Sequence, residues 1–468
     1  MTVANTDRIA SAFALQKAGV EKRRLEFGVA ERRKALAALR ATILKRQPEI
    51  VAALATDFAK PETEVILTEI LPVLQEIRHA SAHLKRWMAP RKVSPTLATF
   101  GTTARVRREP RGVCLIISPW NYPFNLALGP LVSCLAAGNS AILKPSEMTP
   151  ATSALIASIV AETFEPALVT AIEGAKEAST ALLALPFDHI FFTGSPAVGK
   201  IVMEAAARNL ASVTLELGGK SPTIVGPGAD LKRAADWVTF GKFANAGQTC
   251  IAPDYLFVHE SVKDAFLDAL RARIAKAYGK EPLASPHLAG IVNEHHAGRL
   301  GRLLDDALAK GAQIIGGGER NGTRIAPTLM EAITPDMEID QEEIFGPVLP
   351  VIAYADVGDV ISRINARPKP LALYVFDRNR EFCEKIIAST SSGGVGVNLT
   401  VMHYTHPGLP FGGVNNSGIG ASHGEYGFLA FSHERAIMEN RFSSLPMLFP
   451  PYTGTVQRLA GMAQRLLG

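Results

Sequence analysis

The chain has only four cysteines in 468 residues, Cys114, Cys134, Cys250 and Cys383. No two stand at the CxxC or Cys/His spacings that hold zinc or form a redox pair. A disulfide framework is not expected, no metal site is predicted, and the thiols read as free in a reducing compartment. An excess of one charge is also missing. Lys+Arg 49 against Asp+Glu 44 leaves a net charge of +5, too thin over this length to make a nucleic-acid surface, so no nucleic-acid partner is expected. The opening residues carry Asp7, Arg8 and Lys17 where a signal peptide would have its apolar centre, which predicts a cytoplasmic protein. The dinucleotide fingerprint GxGxxG is absent as well.

Charge is missing locally from Gly112 to Leu143, a run longer than a membrane span needs. Pro119, Asn121, Pro123, Asn125, Pro130 and Asn139 break it, and lipid tolerates such breaks only where protein covers them. The expectation is a buried strand VCLII, an irregular turn SPWNYPF and a buried helix, with no transmembrane segment.

What is present divides into textures. The N-terminal third has helical spacing, as in AERRKALAALRATILKR, and its Lys22–Arg46 basic residues are interleaved with Glu21, Glu26 and Glu31 as on a solvated helix face. After Arg111, VCLII, SAILK, ALVTAIEG and DHIFFTG alternate with helical segments, the signature of a parallel sheet covered by helices. A second set, SPTIVG, YLFVH, VLPVIAY and LALYVF, predicts a second α/β unit from near Gly218. TTARVRREP, Thr102 to Pro110, alternates in period 2 as an exposed strand does. With the segment after Gly412 it reads as an oligomerisation arm. The stretch after Pro451 places Val456, Leu459, Met462 or Ala463, and Leu466 on one helical face, suited to docking on the body or a partner.

Four segments carry candidate chemistry. In DHIFFTGSPAVGKI a strand, a Gly194-Ser195 turn and a helix from Pro196 offer free N–H groups to an anion. Gly194 to Lys200 also fits GxxxxGK, but Ile201 stands where a P-loop needs a hydroxyl, which weakens a nucleotide hydrolase. Glu216 ends an apolar strand before Gly218-Gly219 and is a candidate general base, although by itself it reads sooner as a paired surface glutamate. Cys250 follows Asn245, Gly247, Gln248 and Thr249, polar and small residues that suit an open approach to a nucleophilic sulfur. Cys114 and Cys134 instead sit in apolar runs as core residues. Asn121 in SPWNYPF reads equally as an oxyanion donor or a turn cap.

Taken together, PWNYP (119–123), KPSE (144–147), FTGS (192–195), LELGGKSP (215–222), FANAGQTCIAP (243–253), EEIFGP (342–347) and PFGG (410–413) resemble the aldehyde dehydrogenase superfamily. The compact N-terminus, the GQTCIAPDY form and the PFGGVNNSG loop resemble its class 3 branch, which includes fatty, aromatic and coniferyl aldehyde dehydrogenases. The resemblance implies an α/β fold with a Rossmann-like cofactor domain, an α/β catalytic domain and a small β oligomerisation arm. On that pattern residues 1–217 bind cofactor, interrupted by the arm at about 95–111, residues 218–400 are catalytic, 401–445 form an oligomerisation segment and 446–468 a C-terminal tail. It implies Cys250 as nucleophile, Glu216 as base for the hydrolytic water, and Asn121 with the Cys250 N–H as oxyanion hole. Lys144 and Glu147 would meet the adenosine ribose, Gly194 and Ser195 the nicotinamide side, Glu343 and Phe345 the nicotinamide ribose and ring. Tyr122, Phe411 and the Thr400–His406 loop would line the substrate entrance. NAD is the expected cofactor, with NADP also usable because class 3 relatives with the same glutamate accept both. A homodimer is expected. Asn415, where many relatives have glycine, is the small departure, and it bears on the loop near the substrate tunnel.

Overall fold

In a computed structural model, which describes residues 3–467, the chain builds three sheets of three or more strands, and a short hairpin of Arg320–Asn321 with Arg324–Ile325, on a helical N-terminal layer. The helices fall where the spacing places them, Val3–Ala18, Val29–Lys45, Gln47–Phe58 and Leu71–Met88. Leu36, Leu39 and Ile43, one face of the second of these, are wholly buried, as a 3.6-residue period requires when one face covers a core. Between the last two, Ile66–Ile70 winds as a π-turn that carries the buried Glu69.

The first sheet has the strand order Val169–Ala171, Ser140–Lys144, Val113–Ile117, His189–Gly194, Ser212–Leu217 and Gly418–Ile419. Every pair is parallel except the last. VCLII and SAILK are buried at all positions, which explains their continuous apolar sequence, since strands covered on both faces need no polar alternation. The uncharged run 112–143 is therefore a strand, a turn and the buried helix Asn125–Ala137. Among the described residues no helix is long and apolar enough to cross a membrane.

This sheet grows outward from Val113–Ile117 on one side and then returns to His189–Gly194 on the other. The crevice at the carboxyl ends of those two strands is the topological switch point, where open α/β sheets take their ligands.

The second sheet orders Gln313–Gly316, Thr328–Glu331, Val348–Tyr354, Tyr255–His259, Pro222–Val225, Ala372–Phe376 and Gly394–Val397. The third is an antiparallel ribbon of Arg91–Val93, Thr102–Pro110 and Ser432–Asn440, the latter two paired from Thr102↔Asn440 to Pro110↔Ser432. The stretch from residue 401 is thus shared. Met402–Thr405 forms a 3-10 turn, Gly418–Ile419 closes the first sheet and Ser432–Asn440 joins the ribbon. The tail folds as the helix Gly454–Leu467. Its apolar face is only partly covered, with Val456, Leu459 and Ala463 half-buried but Met462 59% and Leu466 72% exposed.

Candidate active site

A cavity of about 420 Å³ with mostly apolar walls lies among the helices that carry Leu71, Leu126 and Phe240 and the loops that carry Cys250 and Met402. Cys250, Glu216, Thr193, Tyr122, Tyr404 and Phe411 all face it. Residues distant in sequence are thus brought onto one wall, which is the size and lining expected of a small-molecule site.

Cys250 is delivered by an unusual backbone. The helix Leu231–Phe243 ends, and Asn245, Ala246 and Gly247 then run left-handed at φ 53°, 51° and 73°. For the two residues that bear a Cβ this conformation is disfavoured by about 1–2 kcal/mol each, so the surroundings must impose it. The Asn245 N–H donates to Glu64 Oε1 at 2.7 Å and its amide to the Asn121 carbonyl at 2.8 Å. The Gln248 amide donates to the Asn245 and Gly290 carbonyls at 2.9 and 3.0 Å, and its oxygen accepts from the Val292 N–H at 2.9 Å. Asn245 and Gln248 are fully buried. The polar run before Cys250 therefore differs in part from the open approach expected of it: Asn245 and Gln248 are interior, their amide N–H groups are bonded to backbone carbonyls, and their task is to hold the loop. Of this stretch Ala244, Thr249, Cys250 and Ile251 reach the cavity, while Asn245 and Gln248 do not line it.

Asn121 belongs to that bracing. Its amide donates to the Gln248 carbonyl at 3.0 Å, which leaves one of the two Nδ2 hydrogens. The cavity wall itself carries the neighbouring Tyr122 and Asn125. The Tyr122 hydroxyl is bonded to Thr249 Oγ1 at 2.7 Å, and Lys60 Nζ lies 3.9 Å from the ring centroid. Lys60 is buried and paired at 2.7 Å with Glu69, whose other oxygen accepts the Asn125 N–H at 3.0 Å.

Glu216 is 5% exposed and ends its strand opposite Gly418. Burial raises its carboxyl to about 7, opposed by a short hydrogen bond from the Ser422 hydroxyl. Ser422 was not legible as a site residue, since it stands 206 positions from its partner. The Cys250 thiol is pushed well up, by burial first and then by the charges of Glu343 and Glu216. It rests protonated, and a base must take its proton as it reacts.

Glu343 stands apart from this cavity, against Gly218, where an added Cβ would come within 2.2 Å of Glu343 Oε2. Burial first, and then Asp254, lift its carboxyl to about 8. Phe345 follows at φ 49°, its ring edge-on to Trp120 at 5.2 Å. Phe411 closes the substrate cavity, and of the Thr400–His406 loop Val401, Met402, Tyr404 and Thr405 line it.

The other predicted residues gather at the carboxyl edge of the first sheet. Lys144 ends its strand, buried, in a close ion pair with the half-exposed Glu147. Gly194 ends the next strand but one, and Ser195 caps the helix Pro196–Arg208, its hydroxyl accepting from the Val198 N–H at 3.4 Å. Two hydroxyls here, Ser118 Oγ and Thr193 Oγ1, are buried without a partner among the described residues. Such groups call for a ligand or water. The GxxxxGK run does not make a P-loop. Pro196 to Lys200 are already helical, so no extended loop of N–H groups can wrap a phosphate chain.

Among the described residues no group of histidine, cysteine and carboxylates is placed to hold a metal.

Residues 2–437 match the family model described as the Aldehyde dehydrogenase family. A rat protein, aldehyde dehydrogenase family 3 member A2, is 44% identical over 86% of this chain and 82% of its own length. A Staphylococcus aureus 4,4'-diaponeurosporen-aldehyde dehydrogenase is 44% identical over 90% and 92%. A solved structure, the substrate-bound state of Staphylococcus aureus AldH, superposes with a TM-score of 0.93 at 41% identity, covering 99% of this chain and 100% of that one.

Proposed function

The chain belongs to the aldehyde dehydrogenase family, and from that premise we propose that it oxidises an aldehyde to the carboxylic acid with NAD, or NADP as an alternative, through a covalent intermediate on Cys250. The observation that carries this reading is the pairing of Cys250 and Glu216 in one largely apolar cavity of about 420 Å³. A nucleophile and a carboxylate tuned to neutral pH are what acyl transfer to water requires.

Glu216, with its carboxyl near 7, is the base that shares the cavity with the thiol. As the Cys250 proton passes to water in the open cavity, Glu216 being kept for the hydrolytic step, Sγ adds to the aldehyde carbon and the carbonyl oxygen becomes an alkoxide. The free hydrogen of the Asn121 amide and the Cys250 N–H stabilise it, each such donor contributing about 3 kcal/mol. When bound, the nicotinamide of the cofactor supplies the acceptor for the hydride that leaves this carbon. The product on the enzyme is a thioester at Cys250. Glu216 then takes a proton from water as its oxygen bonds to the acyl carbon, the C–S bond breaks, and the acid leaves with the sulfur regenerated. A positioned base is worth roughly 10²- to 10⁴-fold in that step.

The residues fit the cofactor. The unpartnered Ser118 and Thr193 hydroxyls stand at the switch point, and Lys144 with Glu147 offers an amine and a carboxylate for ribose hydroxyls. Gly194, Ser195, Glu343 and Phe345 would hold the nicotinamide end. A glutamate at 147 repels a 2′-phosphate, which places NAD first.

The rings of Tyr122, Tyr404, Phe411 and Phe240 on the cavity wall favour an aromatic aldehyde such as coniferaldehyde over a medium or long alkyl chain. Following reduced-cofactor absorbance with coniferaldehyde, benzaldehyde and decanal tests this. No reduction with any of them, by protein that binds NAD, refutes the function.

We assign residues 1–217, apart from the arm at about 95–111, to cofactor binding, 218–400 to catalysis, 401–445 to oligomerisation through its strand Ser432–Asn440, the earlier part of that stretch serving the cavity and the first sheet, and 446–468 to a tail. The free outer edge of Ser432–Asn440 invites pairing, and a homodimer built on it is checked by light scattering of the protein in solution.

A further inference from the structure

Behind Glu216 lies a second, small chamber of about 20 Å³, enough for one water. Glu216, Ser422, His423, Glu76, Ser133 and Asn125 bound it. Glu76 comes from the helix Leu71–Met88, is 7% exposed, and has no part in the chemistry above. One of its oxygens accepts the Gly424 N–H at 2.7 Å, while the other faces His423 Nδ1 at 3.9 Å. The titratable groups around it are His423, Glu216 across the chamber, Tyr404, whose ring meets His423 at 4.5 Å, and His79 one turn along its own helix. Burial lowers the His423 imidazole to about 4, so it is neutral and gives Glu76 no counter-charge. Among the described residues no lysine or arginine pairs with Glu76. Burial lifts its carboxyl to about 7, the same direction and cause as for Glu216, so both can hold a proton near neutral pH.

Each thioester hydrolysis leaves a proton on Glu216, and the main cavity is then filled by the acid product. We propose that Glu76 is a relay carboxyl: one water in the small chamber carries to it the proton that Glu216 has removed from the hydrolytic water. The bridging water gives one proton to the Glu76 carboxylate as it takes one from the Glu216 carboxylic acid. Glu216 returns to carboxylate, Glu76 becomes the acid, and loss of its proton to solvent resets the pair. This rests on the reading of Glu216 as base.

Two variants test it. Glu76→Gln keeps an oxygen to accept the Gly424 N–H but cannot take a proton. Gly129→Ala adds a methyl at the chamber wall, where the new Cβ meets nothing nearer than Asn125 Oδ1 at 3.5 Å, and leaves both carboxyls intact. With NAD and aldehyde, each variant is expected to retain the first-turnover burst of reduced cofactor and to lose steady-state rate by roughly 10- to 100-fold, at or below the low end for a positioned acid–base group. Below neutral pH the wild-type log rate should rise with a slope approaching two, because both carboxyls must be ionised, and Glu76→Gln should reduce it to one. A merely structural role for Glu76 would leave that slope unchanged. Steady-state rates within about twofold of wild type in both variants, or an unchanged slope in Glu76→Gln, overturn the relay and leave the proposed function standing. If Glu76→Gln does not fold, Gly129→Ala decides by the rate criterion alone. Steady-state turnover of Glu216→Gln at the wild-type rate is the separate result that refutes the underlying reading.

Discussion

Replacing Glu216 by glutamine changes one property and keeps the rest. The amide oxygen still accepts the Ser422 hydroxyl that Glu216 Oε1 accepts now, and the volume is nearly the same. What goes is the ability to ionise. Lifting this carboxyl from an ordinary 4.5 to about 7, at about 1.4 kcal/mol per tenfold, makes its charged form about 3 kcal/mol costlier in the folded chain than in the unfolded one. Between pH 4.5 and 7 the native state therefore binds more protons than the unfolded state, and stability falls as pH rises. The loss is complete above 7. The glutamine variant cannot incur it, so denaturant unfolding should show equal stability near pH 4.5 and a variant more stable by about 3 kcal/mol above neutral. In stopped-flow assays the same protein should give one burst of reduced cofactor per active site and then turn over roughly 10²- to 10⁴-fold more slowly than wild type. A variant more stable but fully active would mean that another group is the base. A variant inactive in the first turnover too would mean that Glu216 acts before hydrolysis. Equal stability at both pH values would refute the argument from burial.

Iodoacetamide is expected to label Cys250 before Cys114, Cys134 and Cys383, which are 0–4% exposed, and the labelling rate should climb steeply with pH because burial and two carboxylates oppose the thiolate; peptide mapping that finds Cys383 labelled first counts against it. Lys60→Met strands the buried Glu69 without its partner and should destabilise the protein by about 3–5 kcal/mol, read by urea unfolding. Because the pair also lies under Tyr122, any folded fraction should show a raised KM for aldehyde. Glu147→Gln removes the carboxylate expected to disfavour a 2′-phosphate, and the ratio of kcat/KM for NADP over NAD should rise; an unchanged ratio shows that Glu147 does not set the choice.

Strands were legible where burial on both faces writes a continuous apolar run, as in VCLII and SAILK, and where helices showed their period. Gln313–Gly316 and Gly394–Val397 were not, because short or glycine-rich segments become strands only by pairing with neighbours. Gly418–Ile419 is two residues long and exists because it lies against Leu215 and Glu216. The left-handed Asn245 and Ala246 likewise have no local signal, since their conformation is imposed by Glu64, Asn121 and Gln248 from outside.

The sequence alone determined the residue types and the family they resemble: a cysteine after Gly-Gln-Thr, a glutamate before Gly-Gly, and a texture of buried parallel strands. Those depend on short-range patterns, which survive in one dimension. Tertiary structure decided what surrounds them. It buried Glu216 beside Ser422, raised the Cys250 thiol, turned the polar run before it into a brace and set Glu76 across a water-sized chamber. Each of these depends on desolvation and on contacts between segments far apart in the chain, and neither quantity is defined until the chain has folded.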